Sequence, residues 1–257
     1  MSQYYNPQRS RNLYDAQADQ PFRLSRSKLE LFLECPRCFY LDRVLGVGRP
    51  PGFPFNLNSA VDTLLKKEFD IHRAAGTEHP LMKAYGVKAV PFQHEALDEW
   101  RENFVGIQFH HQPTNLIITG AVDDIWFNEQ AELVVVDYKS TSKQAKITEL
   151  DQEWQGGYKR QMEIYQWIFR KLGFAVANTG YFVFANAIKT LPKFDGRLEF
   201  AMSIVPYTGN DNWVPLTLLE MKETLESPSI PQPSTECDYC DYRKRSAEAV
   251  LSWKKRL

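Results

Sequence analysis

The stretch Gly120–Lys139, which reads GAVDDIWFNEQAELVVVDYK, constrains the fold more than any other part of the chain. Two apolar runs flank the polar connection Asn128–Glu132, and this pattern predicts a β-hairpin. The second run is rich in valine and ends in Asp137, Tyr138 and Lys139. Because side chains alternate along a strand, Asp137 and Lys139 should share one face while Tyr138 points to the other.

The first run of the hairpin carries two adjacent carboxylates, Asp123 and Asp124. Asp124 should point away from Asp137, so Asp123 is the residue expected to join Asp137 and Lys139 at one strand end. Two carboxylates on neighbouring strands beside a lysine predict a site for a divalent metal and a phosphate. Asp-x-Lys alone is a common tripeptide, and a plain salt bridge of both carboxylates with Lys139 is the alternative.

These residues resemble the core of the PD-(D/E)XK nuclease superfamily, in which Gly-x-x-Asp is followed, after a hairpin, by apolar residues and Asp-x-Lys. The segment VVDYKS resembles the corresponding motif of the RecB-like branch of that superfamily. The resemblance covers roughly Leu24 to Arg245. It implies an α/β fold with a restriction-endonuclease-like core, in which a mixed central β-sheet is flanked by helices.

The resemblance also implies roles for individual residues. RecB-like nucleases often carry Gly-x-x-x-His where this chain has Asn58 and Asp62, and a carboxylate can replace that histidine as the ligand of a hard cation. The alternative for Asp62 is a surface ion pair with Lys66, one helical turn away. The Gln-x-x-x-Tyr motif of the family corresponds to Gln161 and Tyr165. The implied catalytic residues are Asp123, Asp137, Lys139, Gln161 and Tyr165, and the implied ligands of Mg²⁺ or Mn²⁺ are Asp62, Asp123 and Asp137.

Basic residues cluster in sequence near the hairpin, and the chain offers them as candidates for contact with nucleic acid. These candidates are Lys143, Lys159 and Arg160, and a solvated surface is the alternative interpretation. The net charge of the chain is -1, so its overall charge does not indicate avid non-specific DNA binding.

Four cysteines form two Cys-x-x-Cys pairs, Cys35 with Cys38 and Cys237 with Cys240. In a cytosolic chain this spacing indicates a metal or a cluster rather than disulfides, and a Cys₄ site would tie the termini together. Count and spacing do not separate zinc from iron–sulfur. The surrounding segments resemble cluster-bearing RecB-type nucleases, including CRISPR-associated exonucleases, and that resemblance implies a four-iron four-sulfur (4Fe-4S) cluster, with Zn²⁺ as the alternative.

Composition is that of an ordinary globular protein, with 43% hydrophobic and 25% charged residues among 257. No apolar run of about 18 residues and no signal-peptide core occur, so we expect a cytoplasmic protein without a membrane partner. Residues 1–20 are polar and are predicted to be a disordered tail, and residues 21–257 are predicted to be one nuclease domain. Further strands are predicted at Ile107–His111, Leu116–Phe127, Asn178–Ala187 and Leu198–Val205, and helices at Asn58–His72, Gln93–Phe104, Gln155–Leu172 and Asp211–Leu225.

The predicted function is that of a metal-dependent deoxyribonuclease, acting as an exonuclease on single-stranded DNA or DNA ends, in repair, recombination or defence. The family resemblance also suggests a separate helicase or recombination partner. Two alternatives stay open: a catalytically inactive nuclease fold that serves as a DNA-binding or scaffold module, and a zinc-stapled protein-interaction domain.

Overall fold

The computed structural model describes residues 8–52 and 56–254. The chain divides into two compact units: Met1–Phe53 with His110–Ile117 and Pro215–Leu257, and Pro54–Phe109 with Ile118–Val214. The first is called the cysteine unit below, and the second the sheet unit. The predicted single domain over 21–257 and its disordered tail stay predictions, and residues 1–7 of that tail lie outside the described ranges.

Helices and strands alternate along the described chain, as expected for an α/β protein. The helices are α1 Arg26–Glu34, α2 Pro36–Arg43, α3 Asn56–Ala75, α4 Pro80–Ala84, α5 Leu97–Arg101, α6 Gly156–Lys171, α7 Val214–Glu226 and α8 Asp238–Lys254. The strands are β1 Phe22–Ser25, β2 Ala89–Pro91, β3 Ile107–His111, β4 Leu116–Gly120, β5 Asp124–Asn128, β6 Leu133–Thr141, β7 Thr179–Ala187 and β8 Phe200–Thr208.

The sheet unit is built on a five-stranded sheet in the order β2-β5-β6-β7-β8. Strands β6 and β7 are parallel, and the other neighbours are antiparallel, so the predicted mixed sheet is confirmed. The predicted hairpin is β5–β6, with Asp124 opposite Val136. Its connection is closed by Asn128, whose Oδ1 accepts hydrogen bonds from the backbone N–H groups of Gln130 and Glu132.

Helices cover both faces of strand β6. On one face, Val134, Val136 and Tyr138 pack in a buried cluster that includes Leu65 and Phe69 of α3. On the other face lies α6, whose residues from position 161 to 169 are all buried. The central strand is therefore apolar on both sides along most of its length, which explains its run of β-branched residues. Polar side chains enter only where the strand ends.

The predicted continuous strand Leu116–Phe127 is wrong. Its first half is β4, which belongs to a three-stranded sheet in the order β1-β4-β3, and its second half is β5. Between them the buried Val122 turns its backbone N–H to the carbonyl oxygen of Trp100, 3.0 Å away, instead of continuing a ladder. The predicted helix Gln93–Phe104 is likewise reduced to α5.

In the cysteine unit, helices α1 and α2 are separate because Pro36 begins a new helix, as its lack of an N–H group favours. Helix α8 contains no buried residue, and Tyr242 and Trp253 on it are exposed. Residues of the predicted tail also belong here: the Lys222 ammonium donates to the Tyr14 hydroxyl at 2.6 Å. Within the described ranges, no helix is both long enough and apolar enough to cross a bilayer.

Candidate functional site

The carboxyl end of strand β6 carries a buried ion pair. The side chain of Asp137 is 1% exposed and pairs with the Lys139 ammonium, so both lie on one face as the strand alternation predicts. Burial alone would lower the pKa of Lys139, but the carboxylates of Asp137 and Asp123 outweigh burial and raise it. Lys139 therefore stays protonated at neutral pH and places a fixed positive charge at this strand end.

Asp123 lies near this pair, just before the β5 residue Asp124, which is opposite Val136. The backbone N–H of Tyr138 donates to Asp123 Oδ2 at 2.8 Å. From helix α3, Lys66 Nζ lies 2.9 Å from Asp62 Oδ2 and 3.7 Å from Asp123 Oδ1. Burial, and after it the nearby Asp123 charge, raise the pKa of Asp62. Lys66 therefore bridges Asp62 and Asp123, and the Tyr138 N–H links Asp123 to the strand that carries Asp137.

Helix α6 supplies the remaining predicted residues. Lys139 Nζ is 3.5 Å from Gln161 Oε1, and Gln161 Nε2 donates to the Tyr165 hydroxyl at 3.3 Å. The Tyr165 ring packs so closely on Gly120 that a β-carbon there would overlap it. Glycine at the end of β4 is therefore what lets the tyrosine reach the network. Asp137, Lys139, Gln161 and Tyr165 are thus connected through their side chains, and Asp123 joins them through the Tyr138 backbone.

Asp124 points away from this group, as its place in the strand predicts, and it organises a second polar cluster. Its buried carboxylate accepts hydrogen bonds from Arg101 Nη2 at 2.8 Å and from the Tyr138 hydroxyl at 2.7 Å, and Arg73 also pairs with it. Burial and the adjacent Asp124 carboxylate raise the pKa of Tyr138 well above its usual value. Neither arginine was predicted from the sequence, because they are 51 and 23 residues from Asp124 and no local spacing links them to it.

The predicted nucleic-acid-binding residues lie against aromatic rings or backbone. Lys143 Nζ is 5.1 Å from the centre of the Trp154 ring, and Lys159 Nζ is 5.8 Å from that of Tyr207. The Arg160 guanidinium lies close to the backbone of Gly156. Sequence analysis did not single out Trp154, because it stands in a polar segment without periodicity. An aromatic residue among lysines was the available signal.

The cysteine unit contains the second candidate site. The four sulfur atoms of the two Cys-x-x-Cys pairs lie within 4.8 Å of one another. Measured separations are 3.9 Å between the sulfurs of Cys35 and Cys240, 3.6 Å for Cys38 and Cys237, and 3.7 Å for Cys38 and Cys240. Arg49 Nη2 is 3.5 Å from the Cys237 sulfur. Four thiols at this spacing are positioned to hold a metal.

Fold and site together define an α/β protein whose mixed sheet ends in a cluster of carboxylates and lysines. A family model described as the PD-(D/E)XK nuclease superfamily matches residues 57–245. The match spans well over half of the chain, so this protein belongs to the PD-(D/E)XK nuclease superfamily. Its members are generally metal-dependent phosphodiesterases that act on DNA, and membership suggests nuclease activity here.

Among solved structures, one similar chain is described as "Crystal structure of SSO0001". It is 14% identical, the similarity covers 87% of this chain and 84% of that chain, and the TM-score is 0.33. No curated protein matches this chain.

Proposed function

We propose that this protein is a divalent-metal-dependent deoxyribonuclease that acts on single-stranded DNA or DNA ends. The observation that carries this proposal is the connected group at the end of β6, where Asp137, Lys139 and Gln161 join Asp123. A buried carboxylate–lysine pair with a second carboxylate at hydrogen-bond distance from the same strand is costly to a purely structural domain. It is useful where a metal and a phosphate must bind together.

The donor set fits a hard divalent cation such as Mg²⁺ or Mn²⁺, since all three proposed ligands are carboxylates. The site already attracts positive charge, because the Lys66 ammonium lies between Asp62 and Asp123. This ammonium acts as a stand-in for a bound cation. Asp62, Asp123 and Asp137 would hold the metal, and the Tyr138 backbone carbonyl is a further candidate ligand from the family resemblance.

When bound, the metal would lower the pKa of a water molecule and polarise the scissile phosphate. The protein's own groups would do the positioning. Lys139 would orient the attacking water and offset negative charge that develops on the phosphate. Gln161 contacts the Lys139 ammonium and so would fix its direction, while Tyr165 supports Gln161 from the next helical turn. Lys143, Lys159 and Arg160 would bind the phosphates of the flanking strand.

The finer assignments remain our predictions and follow from the family resemblance described above. They are a RecB-like branch, exonuclease action, a role in repair, recombination or defence, a cytoplasmic location, and a separate helicase or recombination partner.

An inactive nuclease fold that binds DNA is the second candidate function. The ion pair between Lys66 and Asp62 favours it, because an occupied carboxylate is less available to a metal. The connected Asp137, Lys139 and Gln161 argue for the active enzyme, since binding alone does not require a lysine held in this geometry.

For the cysteine site we propose a single zinc ion. A tetrahedral ion with zinc–sulfur bonds of about 2.3 Å places its sulfurs roughly 3.8 Å apart. Three of the six sulfur–sulfur separations, 3.6, 3.7 and 3.9 Å, match that edge, and all six are within 4.8 Å. A four-iron cluster carries each thiolate on a different iron and spreads them wider. The spacing therefore favours zinc over the 4Fe-4S cluster that the resemblance implies.

Cleavage of end-labelled single- and double-stranded DNA in Mg²⁺ or Mn²⁺ tests the enzyme proposal. Wild-type protein should release metal-dependent products, and Lys139→Ala should reduce the rate at least a hundredfold, in the range found when one charge-stabilising donor is removed. Lys67→Ala, which changes an exposed lysine of α3, is the matched control and should cleave normally. Folded wild-type protein that binds DNA but yields no products in either metal would establish the inactive DNA-binding fold instead.

A further inference from the structure

Trp154 is half-exposed next to the helix that carries two of the proposed catalytic residues. Its side chain is 53% exposed, yet it stands in a short 3-10 turn, Glu153–Gln155, that leads directly into helix α6. A reciprocal capping arrangement links Gln152 and Gln155, and Gln155 is buried. A large apolar ring is thus held at the surface at the start of helix α6, where covering it would be favourable.

The exposed ring is connected to the catalytic group through a short series of contacts. Lys139 Nζ lies 4.6 Å from the centre of the Tyr158 ring. The Tyr158 ring meets the Trp154 ring edge to face, with centroids 5.6 Å apart. The ammonium of Lys143 then lies over Trp154. Two aromatic rings in contact, with a lysine at each end, therefore lead outward from the proposed active site to the surface of the sheet unit.

A groove of about 360 Å³ lies at the outer end of this series, and we call it the Trp154 groove. Its lining includes Lys143, Lys146, Thr148 and Trp154. The chain segment that forms one wall is fixed to the sheet. Asn186 of β7 exchanges hydrogen bonds with the backbone N–H and C=O of Lys143, and the Ser203 hydroxyl of β8 donates to the Ile147 carbonyl.

We propose that the Trp154 groove is a stacking subsite for one unpaired base of the DNA strand whose phosphate lies at the active site. Aromatic rings beside lysines bind single strands by stacking bases and attracting phosphates. The groove also contains the carboxylates of Glu149 and Asp151. These would repel a phosphate, so the groove suits the neutral base, and the lysines suit the backbone beside it. A base inside a duplex is already stacked and cannot enter.

This inference rests on the proposed function for the position of the strand, but its test measures binding alone. Fluorescence anisotropy of labelled oligo(dT) and of a blunt duplex would be recorded in Ca²⁺ with wild-type protein, Trp154→Ala and Trp154→Phe. Trp154→Ala should bind oligo(dT) on the order of tenfold more weakly than wild-type protein and should bind the duplex equally well. Trp154→Phe should recover most of the lost oligo(dT) affinity. Phe194→Ala is the matched control, because Phe194 is 71% exposed and does not line the groove.

A double-mutant cycle separates stacking from support of the fold. An oligonucleotide with abasic sites should bind wild-type protein about as weakly as oligo(dT) binds Trp154→Ala, and combining the two changes should add little further loss. Equal losses for single strand and duplex, additive losses in the cycle, or no oligonucleotide binding at all would overturn the subsite. If binding depends on Trp154 while no cleavage occurs, the nuclease proposal fails and the subsite stands.

Discussion

Lys66 and Asp62 form an ion pair one helical turn apart on α3, with the ammonium 2.9 Å from the carboxylate. The same ammonium lies 3.7 Å from Asp123, so it occupies space between two proposed metal ligands. A divalent ion that uses both carboxylates must compete with this internal cation. The protein therefore carries a built-in counter-charge that keeps the acidic site neutralised before metal binds.

Replacing Lys66 should strengthen metal binding. Lys66→Met removes the competing ammonium, and because both partners are partly exposed the pair is worth roughly 0.2–1 kcal/mol, which predicts Mn²⁺ affinity about 1.4- to fivefold higher. Isothermal titration calorimetry measures this directly, with Lys67→Met as the neighbouring control. Unchanged or weaker Mn²⁺ binding by Lys66→Met would show that the lysine does not compete with the metal.

Gly120→Ala should destabilise the protein and disturb the catalytic group. The new β-carbon would overlap the Tyr165 ring, which in turn is hydrogen-bonded to Gln161. Overpacking of this kind costs about 1–3 kcal/mol. Urea unfolding should show this loss, and DNA cleavage should fall as well. Gly52→Ala, at a site with open space, provides the comparison, and equal stability of the two variants would contradict the packing argument.

Asp124→Ala should be far more damaging to stability than Asp123→Ala. Asp124 is fully buried between Arg73 and Arg101, and its loss leaves these two buried guanidinium groups with Asp70, which is 43% exposed, as their remaining carboxylate. Breaking a buried pair from one side costs about 3–5 kcal/mol. Asp123 is 23% exposed, so its removal should cost much less free energy while abolishing cleavage. Urea denaturation of the two neighbouring variants checks the order, and a reversed order would refute it.

Cys237→Ser should release the metal from the cysteine site and lower the melting temperature. Protein purified without oxygen should contain one zinc per chain by elemental analysis, and the variant should contain much less, because a serine hydroxyl is a poor replacement for a thiolate. The apo form should lose stability because metal binding contributes to folding free energy. A brown protein with about four irons per chain would show that the cysteine site holds a 4Fe-4S cluster and not zinc.

Local patterns predicted most of the elements that carry the site. The hairpin is β5–β6, the helix expected at Gln155–Leu172 is α6, and the four cysteines meet as their spacing indicated. These succeed because strand alternation, helix periodicity and Cys-x-x-Cys spacing are short-range signals.

Long-range relationships were not predictable from one sequence. The break after Gly120 depends on the carbonyl of Trp100, and the two arginines that neutralise Asp124 come from α3 and α5. Gly120 and the adjacent Asp123 and Asp124 interrupt the apolar pattern there, but they do not show which distant group accepts the freed backbone N–H. Such contacts depend on which elements pack together. Ion pairs between residues far apart in the chain produce no periodic pattern in the sequence.

The cysteine site combines two pairs of cysteines that the ribosome adds at widely separated times during translation. Cys35 and Cys240 are separated by 205 residues, and ribosomes add about 5–20 residues per second, so roughly 10–40 s pass between their synthesis. During that interval each nascent chain exposes the first thiol pair to the cell without the second. The metal can bind all four thiolates only after the second pair has been synthesised. Oxidation of the first pair before that time would prevent the four-cysteine site from forming.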